Sequence, residues 1–584
     1  MLLTTGICNG GVLHIWTFTQ RIYLLVLHRA EMTRRVAVVG GGSSGLACIK
    51  CCLDEGLQPV CFESSDDIGG LWRFKENPEA DRASIYHSVI INTSKEMMCF
   101  SDFPIPAHYP NYMHNSLIMD YFRSYADHFQ LSEHIRFNTT VLAVKQRSDF
   151  SRSGQWDVET QNRDGQLEKH IFDAVMICIG HHCHPHLPLQ DFPGIDSFTG
   201  KFFHSRDYKT PEQWRNKRVV VVGIGNSGGD IAVELSRVTK QLYLSTRRGA
   251  WILNRVGDSG LPLDMQLPRL FTYVQNLVPS SLISSLVEKQ VNQRFDHALY
   301  NLKPKHRLFS QHPTVNDELP NRILSGTVQV KPDVRRFLGS RVEFDDGSVA
   351  EDVDLVVFAT GYRFSFPFLA SHVVSVSENK AALYKYVFPP ELERPTLAVV
   401  GLVQPLGAVM PIAEMQARWA TRVFKGCIKL PSLASMLQDV RCKQEAMARR
   451  YVTSQRHTIQ VDYVPYMDEL AELVGARPSP LRLLLTDPRL GLNLMLGPCT
   501  PYQYRLRGPG KWPGARQAIL TQWERVARPM QTRPCEDPKP GRSLMGPLVL
   551  AAVCVAAYVN RNKLAAFLQD PTALSDHVKA AGFF

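Results

Sequence analysis

Several features that define common protein classes are missing from this chain of 584 residues. Its formal net charge is +11, but the Lys and Arg residues are scattered, and no RNP, zinc-finger or basic-zipper pattern occurs, so we expect no nucleic-acid binding. The thirteen cysteines are odd in number and scattered over a chain much longer than disulfide-rich secreted domains. This usage favours a reducing, cytosol-facing environment. The 44% hydrophobic content indicates a globular protein, and the length predicts about two to four domains.

Neither end carries a complete targeting or membrane-spanning signal. No positively charged region precedes the apolar stretches of residues 1–31, so we interpret them as an extension without a role in the fold. Leu544–Val559 is a run of 16 uncharged residues. A helix of that length spans about 24 Å, less than the roughly 30 Å of a bilayer core. Because the run follows a proline-rich polar linker, we predict a shallow membrane anchor rather than a core helix interrupted at Pro547.

A buried strand, a glycine turn and a helix are predicted near the start of the chain. Val36–Val39 lead into Gly40-x-Gly42-x-x-Gly45, a spacing that closes the turn, lets the backbone approach a pyrophosphate and packs helix on strand. The next apolar strand ends in Glu63, whose carboxylate suits a ribose hydroxyl. We therefore predict a first dinucleotide site formed by Gly40, Gly41, Gly42, Ser43, Ser44, Gly45 and Glu63.

The same pattern recurs in the middle of the chain, with a different charge at the end of its second strand. After Gly223-x-Gly225-x-x-Gly228, the strand QLYLS leads to Arg247 and Arg248 instead of an acid. Guanidinium groups pair with a 2′-phosphate, which an acid would repel, so this site should select NADPH over NADH. Its predicted residues are Gly223, Gly225, Asn226, Ser227, Gly228, Gly229, Asp230, Thr246, Arg247 and Arg248. Two sites of different polarity predict a tightly held FAD in the first and a diffusing NADPH in the second, with a hydride passed between them.

From about Met32 to about Val559 the chain resembles the vertebrate flavin-containing monooxygenases. The motifs that carry the resemblance are GGGSSG, GGLWRF, NTSKEMMCFSDFPIP, FTGKFFHSRDY, GIGNSGGD, LSTRRGAWI and FATGY. The resemblance implies an α/β fold with two Rossmann-like domains on the glutathione-reductase-like plan, followed by a helical C-terminal segment and the apolar tail. It also implies an FAD-containing, NADPH-dependent monooxygenase. Such an enzyme uses O₂ and a C4a-hydroperoxyflavin to oxygenate nitrogen or sulfur in small lipophilic molecules.

The resemblance also suggests roles for individual residues. Asn92 would lie between flavin and nicotinamide, where a neutral amide donates a hydrogen bond without adding a competing acid. The alternative is an ordinary turn asparagine. Leu71, Trp72 and Thr93 would be further FAD contacts.

The segment FTGKFFHSRDY contains the family spacing Phe198-x-Gly200-x-x-x-His204-x-x-x-Tyr208. Its histidine and aspartate suggest an acid–base pair, but flavin monooxygenation has no evident step for one. We interpret the segment as the link that couples the two dinucleotide domains, with His204 and Arg206 helping to place NADPH.

Some alternative functions stay open, and others are disfavoured by the residues. The same machinery could insert oxygen beside a ketone in a Baeyer–Villiger reaction, or the chain could be a low-turnover cofactor-binding protein or an NADPH oxidase producing H₂O₂. A disulfide reductase is disfavoured, because GGLWRFKEN lacks a redox cysteine pair and Cys48-x-x-Cys51 lies along a predicted helix. His181–His186 crowd one short loop and are interpreted as a domain crossover rather than a metal site.

The predicted organisation places the NADPH domain between two segments of the FAD domain. The ranges are 1–31 (extension), 32–183 and 332–445 (FAD domain), 184–331 (NADPH domain with an insertion), 446–541 (helical region), 544–559 (anchor) and 560–584 (tail of open topology). The expected location is the endoplasmic reticulum membrane, with the catalytic body facing the cytosol. The sequence leaves open whether the chain forms a homo-oligomer.

Overall fold

The computed structural model describes residues 33–533 except 80–81, 276–277, 453 and 455–456. The predicted N-terminal extension, the anchor at 544–559 and the tail at 560–584 lie outside the described residues. In the part of the chain that is described, no helix is both long enough and apolar enough to cross a membrane.

The first of two parallel sheets has five strands. Their order across the sheet is Leu397–Val399, Ala174–Ile177, Arg35–Val39, Gln58–Phe62 and Ile135–Arg136. The central strands are continuous apolar runs, as expected for strands covered on both faces. An antiparallel sheet of Thr139–Gln146, Trp156–Asn162 and Leu167–Phe172 covers one side. Because residues 397–399 pair with residues 174–177, the first domain is completed by chain that follows the second.

The second sheet also has five parallel strands and extends past the predicted domain boundary at residue 331. Its order is Val328–Lys331, Gln241–Ser245, Arg218–Val222, Leu355–Phe358 and Lys201–His204. Leu355–Phe358 lies between two strands of the second domain, so the prediction that residues 332–358 belong to the FAD domain is wrong. The chain reaches that strand through an antiparallel excursion of Val334–Leu338, Arg341–Phe344 and Val349–Ala350.

Short strand pairs connect the remaining segments. His184–Pro185 pairs with Tyr362–Arg363, which joins the outgoing and returning crossings between the two domains. The other pairs are Ile252–Leu253 with Thr314–Val315, Val376–Ser377 with Lys380–Ala381, and Gln404–Leu406 with Gln460–Asp462.

The described helices fall into three groups along the chain. Those of the first domain are Ser43–Asp54, Lys95–Met98, Asn115–His128, Phe150–Ser153, Val409–Phe424 and Leu433–Arg450. Those of the second domain and its insertion are Asn226–Leu235, Arg269–Gln275, Ser280–Arg294 and Leu319–Leu324. Those of the C-terminal region are Tyr463–Val474, Pro480–Thr486, Pro488–Leu496 and Ala515–Ala527.

The C-terminal region completes the core of the first domain. A single hydrophobic cluster contains Val38 of the first sheet and Trp419 of the Val409–Phe424 helix together with Tyr466, Tyr502 and Ile519. These three C-terminal side chains are at most 4% exposed. The C-terminal helices are therefore part of the first domain and not a separate unit.

Candidate functional site

The first glycine turn lies at the carboxyl end of the Arg35–Val39 strand. Gly40 has a φ of +103°, and a Cβ added there would lie 2.8 Å from the carbonyl oxygen of Cys178. A Cβ at Gly45 would lie 1.9 Å from the carbonyl oxygen of Gly40, so the Ser43–Asp54 helix can approach the strand only with glycine at that position. The helix therefore begins at the turn, with Gly42 as its N-cap and the backbone N–H groups of its first turn directed at this edge of the sheet.

Glu63 lies where the sequence predicts it, directly after the Gln58–Phe62 strand. Its carboxylate accepts hydrogen bonds from the backbone N–H of Gly41 at 2.6 Å and from the N–H and hydroxyl of Ser65 at 2.9 and 2.7 Å. These bonds fix the buried carboxylate beside the glycine turn, at the position where the sequence predicts a ribose contact.

Leu71 and Trp72 belong to a second loop that meets the first. The N–H of Gly69 donates to the carbonyl oxygen of Gly41 at 3.1 Å, and a Cβ at Gly70 would lie 3.1 Å from the Cα of Gly42. Leu71 and Trp72 follow in a short 3₁₀ helix and are half-buried. The structure thus brings the predicted flavin contacts of both loops to one edge of the first sheet.

Asn92 lies at the junction between the domains and is held by a residue that the sequence analysis missed. Arg255, from the insertion of the second domain, donates from Nη2 to Asn92 Oδ1 at 2.7 Å and from Nε to the carbonyl oxygen of Ile91 at 3.2 Å. Arg255 is itself held by Asp317 Oδ2 at 2.9 Å. Because a guanidinium group only donates, it takes the oxygen of the Asn92 amide and leaves the NH₂ group as the donor toward the rest of the site. Thr93 follows and is half-buried.

The second glycine turn repeats the geometry of the first. Gly223 has a φ of +105°, and a Cβ at Gly228 would lie 1.9 Å from the carbonyl oxygen of Gly223. A Cβ at Gly225, in contrast, would meet no described atom within 4 Å. The Asn226–Leu235 helix begins here and contains Ser227 and Gly229 in its first turn. Asn226 Oδ1 accepts the backbone N–H of Val315 at 2.8 Å.

Asp230, further along this helix, faces the first domain. It accepts hydrogen bonds from the hydroxyl of Tyr86 at 2.7 Å and from Nδ2 of Asn316 at 2.8 Å. Burial raises the pKa of Asp230 above its ordinary value. Asp230 therefore joins the NADPH-domain helix to the loop that leads to Asn92, rather than lying free at the nucleotide turn.

The residues predicted to contact a 2′-phosphate lie at the end of the Gln241–Ser245 strand. Thr246 accepts the N–H of Gly249 at 3.1 Å and so closes the turn that carries the two arginines. Arg247 is 72% exposed and lies 3.8 Å from Asp333, and Arg248 is also exposed. Both guanidinium groups are accessible to a ligand beside the second glycine turn.

The FTGKFFHSRDY segment enters the second sheet as the edge strand Lys201–His204. Gly200 has no room for a side chain, because a Cβ would lie 2.6 Å from the ring of Phe198, which packs on Phe337. His204 Nε2 lies 2.9 Å from the carbonyl oxygen of Gly361, and its Nδ1 accepts the N–H of Arg206 at 3.1 Å. Burial lowers the pKa of His204 to about 4, so the ring is neutral near pH 7. Both ring nitrogens have backbone partners, and this side chain supplies structure rather than a proton.

The C-terminal end of the same segment binds residues of the first domain. Arg206 donates to the carbonyl oxygens of Glu79 and Arg82 at 2.6 and 3.1 Å, and Lys209 donates to the hydroxyl of Ser84. Tyr208 is buried, with its ring centroid 6.0 Å from that of Tyr86. These contacts join the two domains. Arg206 also pairs with the carboxylate of Asp207 at 3.0 Å.

In the part of the chain that the structure describes, no group of three or more His, Cys, Asp or Glu side chains is placed to hold a metal ion. Cys48 and Cys51 are buried in the Ser43–Asp54 helix, and burial raises the pKa of both thiols. Such thiols stay protonated and pack as small apolar side chains.

Comparisons with known proteins point to one family. The family model described as flavin-binding monooxygenase-like matches residues 33–561. Flavin-containing monooxygenase 5 of Mus musculus is 60% identical over 88% of this chain and 97% of its own length. Dimethylaniline monooxygenase [N-oxide-forming] 2 of Cavia porcellus is 51% identical over 90% of this chain and 99% of its own length.

Solved structures share the fold. The S-allyl-L-cysteine S-oxygenase of Allium sativum is 24% identical with a TM-score of 0.59, over 85% of this chain and 99% of that one. A cyclohexanone monooxygenase crystallised with ε-caprolactone is 17% identical with a TM-score of 0.55, over 76% of this chain and 98% of that one.

Proposed function

The chain belongs to the flavin-binding monooxygenase-like family, and we propose that this FAD- and NADPH-dependent monooxygenase oxygenates soft nitrogen and sulfur atoms of small lipophilic molecules with O₂. Its similarity to a dimethylaniline monooxygenase that forms N-oxides supports tertiary amines as one substrate class.

The residues at the two glycine turns fit the two cofactors. At the first turn, glycines at 42 and 70 let two loops approach to van der Waals contact at the N-terminus of the Ser43–Asp54 helix, and Glu63 lies beside them. We assign FAD to this position, with Leu71, Trp72 and Thr93 completing the site. At the second turn, the open space over Gly225 and the exposed Arg247 and Arg248 suit the pyrophosphate and 2′-phosphate of NADPH. When bound, FAD supplies the hydride acceptor and the activation of O₂.

The observation that best supports the proposed function is the hydrogen bond between Arg255 and Asn92. It joins the insertion of the NADPH domain to the loop of the FAD domain that leads from the flavin contacts. Asn92 then presents an NH₂ donor, and a neutral donor stabilises developing negative charge on oxygen without offering an acidic proton. In this assignment Asn92 is the catalytic residue, and Arg255 orients it.

The test is a product analysis with purified enzyme, NADPH and O₂. We expect N,N-dimethylaniline to give its N-oxide and a dialkyl sulfide to give its sulfoxide, each in proportion to the NADPH consumed. An aliphatic ketone assayed in parallel tests the Baeyer–Villiger alternative, because an ester would be its product. NADPH consumption that yields only H₂O₂ with every substrate would contradict both oxygenation proposals.

We further propose that the enzyme associates with the endoplasmic reticulum membrane through Leu544–Val559, with the catalytic body on the cytosolic side. The support is the uncharged run in the sequence alone. The segment lies outside the residues that the structure describes. Deleting the chain from Leu544 should move the protein from the microsomal pellet to the supernatant. A truncated protein that still sediments with microsomes would show that this run is not the sole anchor.

A further inference from the structure

The residue that holds Asn92 lies at one end of a closed loop, and a carboxylate lies at the other end. The N–H of Gly257 donates to the carbonyl oxygen of Leu261, and the N–H of Leu263 donates to the carbonyl oxygen of Arg255, both at 2.8 Å. These two bonds fold residues 255–263 back on themselves. Arg255 and Asp264 are thereby brought to the base of the loop, next to each other in space although nine positions apart in sequence.

The two side chains at this base hold the same short segment of the first domain from its two ends. Arg255 binds the carbonyl oxygen of Ile91 and the amide oxygen of Asn92. Asp264 Oδ2 accepts the backbone N–H of Ser94 at 2.7 Å and the Ser94 hydroxyl at 3.0 Å. Asn92 is thus bound by one charged residue of the second domain, and Ser94, two positions later, is bound by another.

The Asp264 carboxylate is half-buried and binds a residue that is fully buried. Ser94 is fully buried and is the N-cap of the short Lys95–Met98 helix, where a carboxylate is favoured by the free N–H groups. Besides Ser94, the backbone N–H groups of Asp264 itself and of Met265 favour the charged form of this carboxylate. Loss of the carboxylate would leave the two buried donors of Ser94 without this partner.

We propose that Asp264 is a positioning residue: by holding Ser94 it keeps the Asn92 amide in the orientation that oxygen transfer requires. This inference rests on the proposed role of Asn92. An active-site group must be held to within about 0.5 Å to be effective. The backbone on either side of residues 92–94 is held by hydrogen bonds from the N–H groups of Ile91 and Lys95 to the carbonyl oxygens of Met113 and Asn111, and Asp264 holds Ser94 between them. Without Asp264, electrons from NADPH should still reduce O₂, but a larger share should leave as H₂O₂ instead of oxygenating the substrate.

The surroundings of Asp264 make this role dependent on pH. Burial raises the pKa of Asp264 to about 6. Arg255 and Asp317 of its own domain and Tyr112 of the first domain are the other charged or titratable groups nearby, and Tyr112 donates its hydroxyl to the carbonyl oxygen of Arg255 at 2.6 Å. Above pH 6 the carboxylate accepts both bonds from Ser94. As the pH falls through this pKa a growing fraction of the carboxyl group is protonated and accepts them poorly, so the share of H₂O₂ should rise from pH 7.5 to 5.5.

The experiment compares Asp264→Asn with the wild type in the full-length enzyme, using dimethylaniline as substrate. The ratio of H₂O₂ formed to N-oxide formed should rise about tenfold or more, as expected for losing hydrogen bonds to a charged group. The rate of anaerobic flavin reduction by NADPH should change less than about twofold, because hydride transfer precedes the step that needs Asn92. The pH dependence should disappear in the variant, which a purely structural role would not predict. Asp258→Asn, an exposed carboxylate on the same loop, is the matched control and should behave as the wild type.

Two further variants distinguish failure of the Asp264 inference from failure of the proposed role of Asn92. Ser94→Ala removes only the hydroxyl donor and should raise the H₂O₂ ratio less than Asp264→Asn, which provides a milder test if the latter loses FAD. Asn92→Ala should raise it most. A normal ratio for Asn92→Ala would overturn the proposed role of Asn92. If Asn92→Ala is uncoupled while Asp264→Asn holds FAD and couples NADPH oxidation to oxygenation normally, only the inference about Asp264 is overturned.

Discussion

At the scale of single residues, the charge after the second strand of each domain distinguishes the two nucleotide sites. Glu63 ends the strand of the first domain and is buried among three hydrogen-bond donors, whereas Arg247 and Arg248 follow the corresponding strand of the second domain and are exposed. A carboxylate accepts bonds from ribose hydroxyls, and a guanidinium group pairs with a phosphate. The same place in two similar folds therefore suits two different dinucleotides.

Replacing both arginines with alanine should weaken the use of NADPH specifically. Hydrogen bonds to charged groups contribute about 1.5–3 kcal/mol each, so we expect the KM for NADPH to rise about 10–100-fold while the KM for NADH changes little. Steady-state kinetics with both cofactors would measure this. Lys240→Ala is a suitable control, since Lys240 is exposed at the opposite end of the same strand. Equal effects on NADPH and NADH would rule out recognition of the 2′-phosphate by this pair.

At the scale of elements, two glycines of the second turn have different roles: Gly228 allows close packing, and Gly225 leaves room for the ligand. Gly228 lies where helix and turn approach most closely, and Gly225 faces open space. We expect Gly228→Ala to destabilise the protein by about 1–3 kcal/mol, because the added Cβ overlaps the carbonyl oxygen of Gly223. Gly225→Ala should leave the melting temperature unchanged and weaken NADP⁺ binding, since the methyl group occupies the path of the pyrophosphate. Thermal unfolding and NADP⁺ titration of both variants would separate the two effects, and a stability loss in Gly225→Ala would contradict this division.

These elements also show what the sequence could predict. The glycine turns, the strands before them and the acid or arginines after them were predictable because each depends on neighbouring residues and on backbone geometry. The role of Arg255 was not predictable, because it binds Asn92 across 163 positions of sequence and belongs to no local sequence pattern. The domain boundary at residue 331 was placed too early for a similar reason. The strand that completes the second sheet returns only after the antiparallel excursion of residues 334–350.

At the scale of the whole molecule, buried charges attach the C-terminal region to the flavin domain. Arg505 pairs with Glu414 and with Asp102, the latter at 2.8 Å, and Lys50 also binds Asp102 at 2.6 Å. The side chains of Arg505 and Glu414 are 1% and 2% exposed. Lys50 lies on the helix that begins at the first glycine turn, so the network connects residue 505 to the element that supplies the flavin site.

Because buried ions stabilise a fold only while each has its partner, removing one should be costly. We expect Arg505→Leu to lower the free energy of unfolding by about 3–5 kcal/mol, since Glu414 and Asp102 would stay buried with less positive charge beside them. Arg507→Leu, at an exposed position two residues away, should change it by less than about 0.5 kcal/mol. Thermal unfolding followed by released flavin fluorescence would report stability and FAD loss together. If the C-terminal region is integral to the flavin domain, both should occur in one transition at a lower temperature in Arg505→Leu. An FAD-retaining body that persists after the C-terminal helices have melted would instead show that the two fold independently.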